Sequence, residues 1–234
     1  MKRILLAGAT LLALTAAQPT LAADAPVYRK GPAPAAAALF SWTGFYVGAH
    51  VGHAWSDVAW SFTANTPSDH RGTSWFGGGQ IGYNFQAGAI VFGVEVDGSW
   101  ANIRGDAACP NPAFRCGSDI HALYSARGRL GFTPWPQALI YGTAGWSWAS
   151  VTYDAIPVTP GGFTNGPITI DGFVYGVGIE WAYNLWGAQS PYWSWKLEYL
   201  AYDFGNEVHS AAPLGTMSAH PKVQTVKLGV NLRF

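Results

Sequence analysis

The chain of 234 residues holds 13 basic and 13 acidic side chains and carries no formal net charge; only 11% of it is charged, while 49% is hydrophobic and 15% aromatic. This charge content is low for a water-soluble domain, and the lack of a basic stripe argues against nucleic-acid binding. The 29 glycines lie mostly inside apolar runs, where each would cost a helix about 1 kcal/mol against alanine, so these runs read as strands.

Met1-Lys2-Arg3 is basic, residues 4–17 are apolar and the run through Ala22 and Ala23 ends in small residues, the layout of a secretory signal peptide over 1–23. The apolar run falls short of the roughly 20 residues of a helical span, and no later segment reaches that length without charge. Loss of Lys2 and Arg3 leaves 11 basic against 13 acidic residues. Residues 24–40, rich in Pro and Ala, read as a flexible periplasmic arm. From Trp42 the texture turns aromatic and glycine-rich, which places one domain over 41–234.

Eight stretches of that domain alternate with a period of two. The first, about 43–55, sets Phe45, Val47 and Val51 against Tyr46, Gly48 and His50. In the second, about 75–86, Ile81, Tyr83 and Phe85 oppose Gln80 and Asn84; only Ala87-Gly88-Ala89 separates it from the third, so a tight hairpin joins them. The third, about 90–103, sets Phe92, Val94, Val96 and Trp100 against Glu95, Asp97 and Ser99, and the fourth, about 122–133, sets Tyr124, Leu130 and Phe132 against Arg127 and Arg129. Pro134-Trp135-Pro136 turns the chain into the fifth, about 138–153, whose two faces are both apolar and leave its outward side open. The sixth, about 171–185, alternates Phe173, Tyr175, Val177, Ile179 and Trp181 with Gly176, Gly178 and Glu180, and the seventh, about 192–204, sets Trp195, Leu197 and Tyr199 against Lys196 and Glu198. The last, 222–234, carries Val226, Leu228, Val230, Leu232 and Phe234 on one face and Thr225, Lys227, Gly229, Asn231 and Arg233 on the other.

Four polar stretches, 56–74, 104–121, 154–170 and 205–221, read as long loops that alternate with short turns. A soluble sandwich has no reason to gather its long loops at one end, whereas an outer-membrane barrel has short periplasmic turns, long outer loops and an even strand number. Closure removes every sheet edge. Aromatics point the same way: Phe45, Phe85, Phe132, Trp135, Tyr183, Trp186, Trp193 and Phe234 fall near one rim, and Trp55, Trp75, Trp100, Tyr153, Phe173 and Phe204 near the other. The fold class expected is all-β, an eight-stranded antiparallel transmembrane β-barrel in the outer membrane.

Trp42-Thr-Gly-Phe-Tyr-Val-Gly48, Gly79-Gln-Ile-Gly-Tyr-Asn84, Val91-Phe-Gly-Val-Glu-Val-Asp97, Arg127-Gly-Arg-Leu-Gly131, Tyr175-Gly-Val-Gly-Ile-Glu-Trp181 and the ending Val226 to Phe234 resemble the small porin-family outer-membrane proteins of alphaproteobacteria. That family includes surface immunogens and some hemin-binding members. The resemblance covers about 42–234 and implies the eight-stranded barrel, with Phe234, Leu232 and Val230 similar to the signal read by the barrel-assembly machinery. It carries over no ligand-binding residue, and the hemin reading finds no motif here.

The inward faces carry Glu95, Asp97, Arg127, Arg129, Glu180, Lys196, Glu198, Lys227 and Arg233. Eight strands leave an interior just wide enough for side chains, so these charges must pair. A salt-bridged plug is the expectation, and a narrow polar path for small solutes is the other reading. Gly77-Gly-Gly-Gln-Ile-Gly82 matches a dinucleotide fingerprint but lies within a strand, without the strand-to-helix turn that aims amides at a pyrophosphate. His50 and His53 face opposite sides of a strand and cannot chelate together, while His70, His121, His209 and His220 fall in or beside outer loops. For lipid acyl chemistry, Ser147 between Trp146 and Trp148 is the nearest nucleophile, and no histidine is forced beside it, so no enzyme activity and no cofactor are expected. Cys109 and Cys116 read as a small-loop disulfide worth roughly 2–3 kcal/mol in an exported protein. The partners expected are outer-membrane lipid and lipopolysaccharide, the assembly machinery, and small solutes if the lumen conducts.

Overall fold

The computed structural model describes residues 40–62, 67–108, 114–157, 163–164, 167–183, 192–205, 207–211 and 215–234. Among them run ten strands: β1 (Gly44–Phe62), β2 (Pro67–Ala87), β3 (Ile90–Ala108), β4 (Phe114–Trp135), β5 (Ala138–Pro157), β6 (Phe163–Thr164), β7 (Ile168–Tyr183), β8 (Tyr192–Asp203), β9 (Glu207–Ala211) and β10 (Gly215–Arg233). Eight of them form the wall in the order β1-β2-β3-β4-β5-β7-β8-β10, and β10 pairs back with β1. Two short strands are additions, β6 on β5 and β9 on β10. The wall is antiparallel throughout and closed.

The closing ladder runs from Tyr46↔Arg233 to Phe62↔Met217. Below it the amide of Phe234 donates to the carbonyl of Phe45 at 2.9 Å, so the chain's last residue still belongs to the seam. In hydrocarbon each peptide group must be satisfied inside the protein, and only a closed sheet does this for strands. At the expected tight hairpin, Ala87 pairs with Ile90 around Gly88-Ala89, with Gly88 in the left-handed region at φ 63°. Pro136-Gln137 turns β4 into β5 in the same way.

Side chains alternate as the period of two requires. Phe45, Ile81, Val94, Leu130, Val177, Leu197 and Leu228 are exposed on the outer wall, and Tyr46, Gln80, Glu95, Arg129, Glu180, Lys196 and Lys227 are buried inside. The open question of β5 resolves with Leu139, Tyr141, Thr143 and Ser147 inward and Ile140, Trp146 and Trp148 outward. Trp75 and Trp100, 72% and 76% exposed, mark one rim, and Phe45, Trp135 and Phe234 mark the other. Trp186 lies outside the described residues, as does the side chain of Tyr153.

Two expectations are corrected. The stretches read as long loops are largely strand: Ser56 and Asp57 pair with Gly72 and Arg71, Arg104 with Asp119, and Ser118 with Tyr153. Strands of 19 to 22 residues are about twice the 9–11 residues that cross a bilayer, so they continue beyond it. Phe204 is not a rim residue; it is buried inside and stacked on Tyr202, with ring centroids 6.2 Å apart.

Both corrections have one cause. Beyond the membrane the wall has water outside, and the alternation reverses. Ile103 lies inward between Asn102 and Arg104, Ile120 between Asp119 and His121, Ile170 between Thr169 and Asp171, and Val223 between Lys222 and Gln224. These apolar side chains pack with Phe76, Leu200, Tyr202 and Phe204 into one interior cluster. Ion pairs on the outer surface occur here, Arg71–Asp57 at 3.1 Å and Arg104–Asp119 at 3.0 Å.

Neighbouring strands approach so closely at Gly145 that a Cβ there would collide with the carbonyl oxygen of Ala126, whereas a Cβ at Gly142 on the outer wall would lie 4.0 Å from its nearest neighbour. Gly145→Ala is therefore expected to destabilise the barrel by about 1–3 kcal/mol through overpacking. Gly142→Ala should stay within about 0.5 kcal/mol of the parent. The urea midpoint of barrel refolded in vesicles, read by heat-modifiable gel mobility, checks the pair.

Candidate functional site

The lumen is the one place where the sequence gathers charge, and ladder register sets which charges share a level. Glu95 stands opposite Arg127, Glu180 opposite Lys196, and Glu198 opposite Lys227. All nine side chains expected inside are buried there, none more than 5% exposed.

They form one network. Glu95 accepts from Lys196 Nζ at 2.8 Å, from the Tyr46 hydroxyl at 2.8 Å and from Arg127, and lies 3.5 Å from Arg129. Asp97 accepts from Lys227 Nζ at 2.6 Å, from Arg127 at 3.0 Å and from Ser125. Glu198 is held by Arg127 at 3.2 Å, by Lys196 at 3.2 Å and by the Tyr141 hydroxyl at 2.9 Å. Glu180 is held by Arg129 at 2.8 Å, Arg233 at 3.1 Å and Asn231 at 2.9 Å. Lys227 reaches past its ladder neighbour Glu198 to Asp97 on the opposite wall, a contact made across the lumen rather than along the sheet.

Aromatic rings fill the gaps between charges. Tyr46 lies over Gly82 and Tyr141 over Gly178, each glycine directly opposite its tyrosine in the ladder and without room for a Cβ beneath the ring. The guanidinium of Arg129 stacks on Tyr141 at 3.9 Å from the ring centroid. His50 joins a neutral arm of the network: its Nδ1 is 2.6 Å from Gln80 Oε1 and its Nε2 is 2.8 Å from Ser99 Oγ. The Gln80 amide nitrogen donates on to Asn231 at 2.7 Å.

Apolar tiers flank this polar layer. On the surface side stands the cluster around Phe76, Ile103, Leu200 and Phe204. Toward the periplasm, Trp42 is fully buried with Val91, Leu139, Tyr141 and Ala182, and Phe40 packs against it. Sequence reading took Trp42 as the start of the domain and missed this role. Its amide donates to Gln86 Oε1 at 2.7 Å, its indole to the carbonyl of Pro136 at 3.0 Å, and its carbonyl accepts from Arg233 at 2.8 Å. Arg233 also lies 4.8 Å from the indole centroid. The only sequence signal for the plug is a large aromatic two residues ahead of the first strand.

The other candidate residues are separated from one another. Ser147 is buried and donates to the carbonyl of Gly172 at 3.2 Å, and among the described residues no histidine is its partner. The glycine fingerprint lies within β2. His50 points inward, while His53 lies outside between Trp55 and Trp75, at 4.7 and 5.2 Å from their rings. His70, His121, His209 and His220 belong to strands β2, β4, β9 and β10 rather than to loops, another result of the strand extension. His121 meets Thr152 at 3.0 Å and His220 meets Asp203 at 2.7 Å. Among the described residues no three His, Cys, Asp or Glu side chains come together as a metal site. Cys109 lies outside the described residues, as does the signal peptide, and Cys116 stands in β4 with its backbone opposite Ala107.

Chemically, the arrangement holds charge in place, and among the described residues of the lumen every carboxylate is paired. Replacing Glu95 by Leu removes a partner from Arg127, Arg129 and Lys196 at once, and a buried pair broken from one side costs about 3–5 kcal/mol. Glu95→Leu is expected to lower the urea midpoint of the refolded barrel accordingly, whereas the conservative Glu95→Gln should lose less.

A family model described as outer membrane protein beta-barrel domain matches residues 8–234. The chain is 28% identical over 250 residues to the 31 kDa outer-membrane immunogenic protein of Brucella melitensis, covering 100% of both chains. It is 27% identical over 241 residues to the 25 kDa outer-membrane immunogenic protein of Brucella abortus, covering 100% of this chain and 99% of that one. Among solved structures, the outer membrane protein OprG of Pseudomonas aeruginosa is similar with a TM-score of 0.48 at 10% identity, over 84% of this chain and 98% of that chain.

Proposed function

The chain belongs to the outer membrane protein beta-barrel domain family and resides in the cell outer membrane; from that premise we propose that it is a closed structural barrel that displays its outer strands and loops at the cell surface and does not conduct solutes. The observation that carries this reading is the three-tiered lumen: nine paired charges between an apolar cluster on the surface side and the Trp42 plug on the periplasmic side. A solute path would have to break the ion pairs that keep the buried charges compensated, at several kcal/mol for each uncompensated ion. Surface display accords with the names of the Brucella relatives, which are immunogenic outer-membrane proteins. The outer wall contacts lipid along its aromatic-bounded belt and, at the level of Arg71, Lys222 and Arg104, the lipopolysaccharide headgroups.

Liposome swelling with solutes of graded size tests the closed lumen. Swelling at the rate of protein-free vesicles, and no stable conductance step in a planar bilayer, are expected. Size-dependent swelling would instead favour a narrow channel.

Phe234, Leu232 and Val230 fall on the lipid side of β10, and Phe234 is 70% exposed at the periplasmic end of the seam. This apolar face lies on the strand that closes the barrel on β1, which suits recognition by the assembly machinery before closure. Deleting Phe234 should leave export intact but reduce the heat-modifiable, membrane-inserted species in outer-membrane fractions; an unchanged level would refute that role.

A further inference from the structure

Two sets of glycines in the barrel wall differ in what surrounds them. At Gly48, Gly82 and Gly178, which face the lumen, a Cβ would collide with the side chains that fill it, so the interior itself demands glycine. At Gly128 and Gly142, which face outward, a Cβ would lie 3.8 and 4.0 Å from the nearest atom, and the wall has room for a side chain. Glycine within a strand weakens it and marks places where something else approaches the backbone closely.

Gly128 and Gly142 lie together. Gly128 pairs with Ala144, and Gly142 pairs with Leu130 on one side and Val177 on the other. These small residues make the floor of a groove of about 810 Å³, with Phe92 and Leu130 as one bank and Tyr175, Val177 and Tyr199 as the other. The Tyr199 hydroxyl already donates to Gln224 at 2.9 Å. The groove opens on the wall that faces hydrocarbon, so water is not its occupant.

We propose that the groove seats one acyl chain of a membrane phospholipid as a site distinct from the general lipid belt. The groove is continuous with the wall that already faces hydrocarbon, which makes a lipid chain the occupant at hand. Its lining of twelve residues is too small for a second barrel, since a stable protein interface engages roughly 20–30 residues a side. Tyr124 and Trp146 stand on the surface side of the floor, while Ile140 and Ile179 stand on the periplasmic side. The chain enters past these aliphatic residues, from the periplasmic leaflet. This inference depends on the membrane location and is independent of whether the lumen conducts.

The experiment uses the full folded chain in phosphatidylcholine vesicles doped with the same lipid carrying a photoreactive diazirine midway along one acyl chain. After irradiation, labelled peptides are mapped by mass spectrometry. Labelling around Gly128 and Gly142 is expected to exceed that around Val47, Val51 and Leu228 several-fold. The double variant Gly128→Leu/Gly142→Leu should abolish the excess, and Gly77→Leu, an outward glycine with similar room, should preserve it. Even labelling around the wild-type belt would overturn the proposal, and that measurement holds whether or not the double variant folds. An excess that persists in a folded double variant would overturn it too, as would chain-to-chain crosslinks through β4 and β5, which would assign the groove to a second copy.

Discussion

A peptide group left unpaired in hydrocarbon costs several kcal/mol, and the ladder between β1 and β10 is what prevents that cost along both ends of the sheet. Closure with eight strands then dictates the interior. A barrel of this size has room for side chains only, so whatever points inward is packed and desolvated. Nine acidic and basic side chains inside such a wall are tolerable only as a connected network, and each carboxylate among them has at least two cationic partners. The seam and the network are tied together at Arg233, which ends β10, binds Glu180 of β7 past the intervening β8 and holds the Trp42 carbonyl under the periplasmic mouth.

One physical rule, that the face toward the solvent must match it, operates twice along each strand with opposite results. Within the bilayer Val226, Leu228 and Val230 of β10 face out and Thr225, Lys227 and Asn231 face in. A few residues earlier, where water replaces lipid, Lys222 and Gln224 face out and Val223 is fully buried. The barrel is therefore a membrane barrel continued by a water-exposed one with an ordinary apolar core. That core and the Trp42 plug give the polar layer a lid at each end, which a uniform polar lumen would lack.

Glycine content follows the same logic of contact. Lumen glycines make space for Tyr46, Tyr141 and Asn231, and the outward pair Gly128 and Gly142 has no such neighbour. The outer wall is thus not a featureless hydrophobic cylinder. Its relief lies in the part of the sequence that composition alone would describe simply as small and apolar.

Much of this was legible in residue order. Alternation assigned the inward and outward faces of seven wall strands, the nine lumen charges were recognisable by parity, and the spacing of Trp75, Trp100, Phe45 and Phe234 marked two rims, because a period of two records which side of a sheet a residue occupies. Parity does not record what lies across the lumen or which solvent bathes the outer face. Only the tertiary structure decided that Lys227 meets Asp97 rather than Glu198, that Trp42 folds under the barrel, that Phe204 turns inward and that the described residues of the polar stretches are largely strand. The first two depend on barrel curvature, which brings together residues far apart in the ladder. The last two arise because a strand standing in water reverses its pattern and, residue by residue, has the composition of a loop.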